Sequence, residues 1–217
     1  GFYYKSSTKP TITHLVRGMN IMDLDKNAIM NEVGGAFMVS WLVLSSVDAG
    51  IGTLTGALIL AAAWMAISGA HILPVVTWCH MMTGDPTDMD SMMGSAMQLV
   101  GQVIGAAMAI ALMTEGGAIE TGWAATVWEA PDLWGALTML AAGAVFWTIY
   151  SRCDTWVTAF AVMAMAGAMG GVDAAHEMGS SLLSGMDGVQ DVGMHWVVDG
   201  LIVGVGARVG VMVDDMI

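Results

Sequence analysis

Charge is scarce in this chain. Of its 217 residues only 12% are Asp, Glu, Lys or Arg, and just six are Lys or Arg. Soluble domains carry about 25% charged residues, so a water-soluble globular protein is excluded. With so few bases, a nucleic-acid-binding surface is excluded too. Cysteine is nearly absent: Cys79 and Cys153 stand far apart, form no metal-ligand spacing and read as free packing residues. No Ser-His-Asp arrangement, His-Glu-x-x-His run, phosphate-binding loop or dinucleotide fingerprint occurs, which points away from an enzyme. No metal site and no cofactor are expected; lipid or pigment contacts are the only ones the composition invites.

What the chain has instead is apolar length. Hydrophobic residues make up 56% of it, and the mean hydropathy is +0.69. Long unbroken apolar runs suit a polytopic helical bundle, since barrel strands would alternate. The runs cover about 29–47, 51–67, 92–113, 133–150, 156–172 and 192–213. Residues 1–28 form a polar, basic segment with Lys5, Lys9, Arg17 and Lys26, and the membrane domain occupies 29–217. The acids sit mostly between the runs, so the net charge of −13 reads as solvated loops. The first residue is Gly1, which fits a removed presequence or a partial chain; a removed presequence would favour an organelle membrane.

Two stretches break this pattern. Ser68-Gly69-Ala70-His71-Ile72-Leu73-Pro74-Val75-Val76-Thr77 holds small residues, a histidine and a proline at the end of an apolar run. The apolar residues after it, to Met82, are too few to cross a bilayer, which takes about 20. Such a stretch predicts a re-entrant half-helix over Leu73–Met82. A second short stretch follows Asp173-Ala174-Ala175-His176-Glu177 and predicts a half-helix over Met178–Met186. Six spans plus two half-helices put Lys5, Lys9, Arg17, Lys26, Arg152 and Arg208 all on one side, together with both termini. That satisfies the positive-inside rule. Ala70-His71 and Ala175-His176 lie 105 residues apart with three spans between them. An odd number of spans inverts the second copy, giving an inverted repeat of about 29–113 and 133–213.

Ser68-Gly69-Ala70-His71 followed by Pro74-x-Val76-Thr77 resembles the first signature box of the aquaporin, or major intrinsic protein, family. Glu32 in Asn31-Glu32-Val33-Gly34-Gly35-Ala36-Phe37 looks like that family's first-span glutamate. Gln102-Val103-Ile104-Gly105-Ala106 is similar to its third-span Gln-x-x-Gly-Ala, and His195-Trp196-Val197 resembles the opening of its sixth span. The chain departs from the family at the pore. Leu73-Pro74-Val75 stands where the family has Asn-Pro-Ala, Met178-Gly179-Ser180 takes the second box, and Ser181 the filter arginine. The fourth span, 133–150, carries no acid where the family has a second glutamate.

The resemblance implies an all-α, aquaporin-like bundle of six transmembrane helices and two re-entrant half-helices. It implies a channel for water or a small uncharged solute, assembled as a homotetramer in membrane lipid. The pore would be lined by His71, Leu73, Pro74, Val75, Ala175, His176, Met178, Gly179, Ser180 and Ser181. Thr55, Ala166 and Gly167 would form the filter, with Glu32 and Gln102 as pore support. Leu73 and Met178 would set two bulky apolar side chains at the narrowest point, and a hydrophobic constriction can exclude water by dewetting. The alternative is therefore a pore-closed structural subunit of a larger membrane complex, organellar, photosynthetic or respiratory, touching lipids, pigments or other subunits through Met- and Trp-rich faces. His71 and His176 suit either a permeation path or hydrogen bonds to loop carbonyls. The methionines around the third span (Met81, Met82, Met89, Met92, Met93, Met97) suit lipid and helix packing better than a Cu(I) path. Gly101-x-x-x-Gly105 and Gly200-x-x-x-Gly204 favour close helix approach.

Overall fold

A computed structural model describes residues 25–45, 50–115, 126–173 and 175–216. Lys5, Lys9, Arg17 and most of the acidic connection 115–132 lie outside the described residues. Those described are helical, with no strand among them. The elements are α1 (Lys26–Leu44), α2 (Leu54–Ala66), α3 (Pro74–Thr83), α4 (Met89–Glu115), α5 (Leu133–Arg152), α6 (Thr155–Met165), α7 (His176–Leu183), α8 (Val189–Met194) and α9 (Gly200–Asp214). A π-turn, His195–Asp199, joins α8 to α9, so that Val189–Asp214 runs as one 26-residue helix.

Local chemistry fixes these bounds. The Asp25 carboxylate accepts from the N–H groups of Asn27 and Ala28 and starts α1. The hydroxyl oxygen of Thr53 accepts from Gly56 and starts α2, and Asp132 accepts from Gly135 at the start of α5. Each occupies the N-cap position, where an oxygen satisfies a backbone donor that the helix itself cannot. Proline opens α3, where its missing N–H costs nothing and its fixed φ suits the first turn.

Among the described residues, four helices are long and apolar enough to cross a membrane: Lys26–Leu44, Met89–Glu115, Leu133–Arg152 and Val189–Asp214. The second and fifth apolar runs do form helices, but α2 has 13 residues and α6 has 11, fewer than the roughly 20 of a full span. Backbone chemistry shortens both. After α2, Gly69 takes φ +87° and Ile72 φ +66°. After α6, Ala166–Ala168 and Gly170–Val172 tighten into 3₁₀ turns around Gly170 at φ +65°.

The helices pack in matching pairs. α1 lies on α4 as α5 lies on α9; α3 lies on α9 as α7 lies on α4; α2 and α6 pack on each other. Missing side chains make the closest approaches. A Cβ on Gly105 of α4 would run into the carbonyl oxygen of Val33 in α1, and one on Gly143 of α5 into the carbonyl of Val203 in α9. Gly200 and Gly204 make room for Trp78 and Met82 of α3. Leu60, Val75, Phe146, Val162 and Val203 fill the core, while Leu112, Val145 and Val209 face outward.

One end of the bundle holds the described bases, Lys26, Arg152 and Arg208. Arg208 donates to the last carbonyls of α3, those of Thr83 and Gly84, at 3.0 and 3.3 Å. Arg152 pairs with Asp214. The start of α1 lies at the same end, because Asp25 shares a hollow with His80 and Ser91. Lys26, Arg152 and Arg208 therefore sit together. In the turn at this end, the backbone N–H and hydroxyl of Thr87 donate to Asp85 and hold its carboxyl below the usual range.

Candidate functional site where two short helices begin

Residues 67–73 leave α2 and turn back into the protein as a strap that feeds α3. A buried strap needs partners for its backbone, because an unsatisfied N–H in an apolar interior is costly. Glu32, projecting from the middle of α1 and fully buried, supplies them. Its two carboxylate oxygens accept from consecutive N–H groups, His71 at 2.5 Å and Ile72 at 2.7 Å. Gln102 of α4 donates to Glu32 at 2.8 Å and to the Thr77 hydroxyl at 2.9 Å. Gln98, one helical turn earlier, adds a longer contact of 3.4 Å to Glu32. Thr77 meets the His71 ring at 3.1 Å, and Trp64 donates to the His71 carbonyl at 3.0 Å. Glu32, Gln102 and His71, three of the residues singled out in the sequence, thus join in one buried network. Gln98, Thr77 and Trp64 complete it; of these, Thr77 belongs to the broken stretch 68–77 that stood out in the sequence.

The strap ends at Leu73, the N-cap of α3, which makes no side-chain cap bond. Across from it, α7 begins at His176, with Ala175 as an equally bare cap. The space between holds a cavity of about 10 Å³, room for about one water molecule. Its walls are Ala36, Val39, Ser40, Val43 and Leu44 of α1, Ile51, Ile72 and Leu73, and Ala175 and His176. Leu73 and Ile72 are each 1% exposed.

The second half departs from the sequence reading in register. Helix α7 starts two residues before the expected Met178 and ends at Leu183 rather than Met186. Measured from the helix starts, Pro74 corresponds to His176, an offset of 102 rather than the 105 of the Ala-His pairs. Met178 accordingly lies in the first turn of α7, packed against the cluster of Ala106, Ala175, Val192 and Trp196 and away from the cavity walls. Gly179 abuts the backbone of Ala106 and Ala107. Ser180 and Ser181 are buried, and Ser181 donates to the Asp187 carbonyl at 2.6 Å. Pro74 and Val75 are buried in the first turn of α3. Thr55 is half-buried, Gly167 is exposed, and Ala166 packs near Gly52 at the start of α2; none of the three walls the cavity.

An acid that the sequence reading passed over holds the second approach. Asp199, in the π-turn, is 3% exposed. It accepts from His195 Nδ1 at 2.7 Å, from the Gly171 N–H at 3.2 Å and from Trp128 Nε1 at 3.4 Å. Its signal was an aspartate inside the apolar run Val197-Val198-Asp199-Gly200, where an ionisable residue needs named partners.

Two hollows open at the base-bearing end. A bowl of about 260 Å³ is walled by Trp64, Ser68, Gly69, Ala70, Tyr150, Cys153, Thr155 and Thr158. A smaller one of about 160 Å³, beside His80, reaches Ser95 and Gln98. Among the described residues no group of three or more His, Cys, Asp or Glu could hold a metal ion.

Comparison with protein-family models and with curated proteins finds no match to this chain. The class it belongs to is therefore the one its own build defines, an all-α protein with the length and apolarity of helix that a multi-pass integral membrane protein requires.

Proposed function

We propose that this chain is an aquaporin-like membrane protein whose central passage is closed, acting as a structural subunit of a larger membrane assembly. In this reading α1, α2, α4, α5, α6 and α8–α9 are six spans, α3 and α7 are the half-helices of an inverted repeat, and the base-bearing end holds both termini on the positive-inside face. The observation that carries it is the cavity between Leu73 and His176, one water in size and walled mainly by apolar side chains. A constriction of that width and chemistry dewets. The outward faces of the long helices would then meet lipid, pigment or neighbouring subunits. The mass of the gently solubilised native complex tests the proposal: one copy of the 22.6 kDa chain inside a much larger assembly is expected, and a self-contained homotetramer would overturn it.

One observation favours the conducting reading. The 260 Å³ bowl carries no charged side chain, offers the hydroxyls of Ser68, Thr155 and Thr158, and ends beside Ala70, one residue before His71. A channel for water or a small uncharged solute would need such a mouth. Osmotic shrinkage of proteoliposomes separates the two readings, with a rate equal to that of protein-free vesicles expected for the closed passage.

A further inference from the structure

The closure is asymmetric. Among the described residues of the second half, Ala175 and His176 alone reach the cavity; the apolar wall comes from the first half, as Ala36, Val39, Val43 and Leu44 of α1, Ile51, and Ile72 and Leu73 of the strap. Of the two strap residues, Ile72 is in an unusual state. Its φ of +66° lies in the left-handed region, where a β-branched residue is a steric outlier. Such a conformation persists only where the surroundings over-determine it.

Four contacts do so. Glu32 grips the N–H groups of His71 and Ile72 together. The Leu73 N–H closes a tight turn onto the His71 carbonyl at 2.7 Å. Trp64, which also walls the bowl, fastens that same carbonyl. The Ile72 side chain then seats directly on Gly35 of α1, where a Cβ would run into its Cγ1 and Cδ1. Gly35 is thus a socket and Ile72 a peg, with the carboxylate one turn earlier on the same helix holding the peg in place.

We propose that Ile72, positioned by Glu32 and Gly35, is the residue that closes the passage, and that it does so from a strained backbone that a smaller side chain would relieve. This rests on the closed-passage reading above. Glycine at position 72 would adopt φ +66° freely, keep the N–H that Glu32 grips, and remove the whole side chain from the cavity wall. Asparagine would also tolerate the left-handed region while exchanging an apolar wall for an amide that wets. Met178, which the sequence pattern set at the constriction together with Leu73, would have no such effect.

The experiment measures osmotic water flux in proteoliposomes of wild type, Ile72→Gly, Ile72→Asn and Met178→Ala, each checked for an unchanged size-exclusion profile and helical content. Wild type and M178A are expected to match empty vesicles, and I72G to shrink about tenfold faster, as a dewetted constriction does once it rewets. Should I72G fail to fold, I72N carries the same expectation. Folded I72G and I72N that both stay at the empty-vesicle rate would overturn the proposal while leaving the closed-passage reading intact. M178A opening the passage would overturn it as well. A conducting wild type would overturn both.

Discussion

The two approaches to the short helices solve one problem with different materials. In the first half, Glu32 comes from a separate helix and takes two consecutive backbone donors at 2.5 and 2.7 Å, backed by Gln102 at 2.8 Å. In the second, Asp199 divides itself between a backbone N–H at 3.2 Å, a tryptophan at 3.4 Å and its own neighbour His195 at 2.7 Å. The first arrangement forces a β-branched residue into a left-handed conformation. The second has Gly170 available, which takes φ +65° without steric cost. A strong, short carboxylate grip is found where the chain is strained, and a looser one where glycine has removed the strain.

The comparison can be broken most sharply at Glu32. Replacing it by Ala leaves the N–H groups of His71 and Ile72 buried without an acceptor, and is expected to cost roughly 3–6 kcal/mol. Thermal unfolding in detergent, followed by circular dichroism, checks it; a variant as stable as wild type would mean that the strap does not depend on the carboxylate. At the other approach, Asp199→Ala is expected to cost about 2–3 kcal/mol, since its backbone and tryptophan contacts are longer, with Asp199→Asn recovering part of the loss. An Asp199 effect as large as that of Glu32 would erase the distinction drawn above.

The helix contacts beneath both approaches offer a smaller test. Gly143→Ala drives a methyl into the Val203 carbonyl, and overpacking of that kind costs about 1–3 kcal/mol. The same change at exposed Gly167, where a Cβ meets nothing, should leave the melting temperature nearly unchanged. The smallest effect belongs to Arg208→Gln. Losing a cation at the C-terminal carbonyls of α3 is worth about 0.3–1 kcal/mol and should fade as salt is raised.

Much of the helical content was legible in advance because burial in lipid leaves a plain record, the apolar run. Each of the six runs produced a helix. The four long ones hold their expected positions to within about three residues, as caps such as Asp25 and Asp132 allow. The short length of α6 was not legible, because the apolar run continues to 172 while the α-helix stops at Met165; α2 lies within three residues of its run, 51–67. Around the first site, Glu32 and Gln102 stood out as polar residues within apolar runs, where each must find a partner. Ile72 did not stand out, since an isoleucine in an apolar stretch announces nothing about its φ. Asp199 was a polar residue in such a run too, yet its partners Gly171 and Trp128 lie 28 and 71 residues away, and no local pattern joins them.

The second short helix marks the limit of pattern reading. Ala-His occurs at both places, and matching the pairs set Met178 opposite Leu73. Helix register decides otherwise: without a proline to fix its first turn, α7 begins at His176 itself, and Met178 turns toward α4.

Residue chemistry read along the chain was enough to show that this protein is helical and apolar enough for a membrane, and where its four long helices run. Those properties follow from transfer free energy and charge, which each residue carries wherever the chain goes. The tertiary structure alone decided which oxygen meets which N–H, that Gly35 receives Ile72, and that the space between Leu73 and His176 admits about one water molecule. Those are matters of distances between segments far apart in the chain, and close packing sets them only once every neighbour is in place.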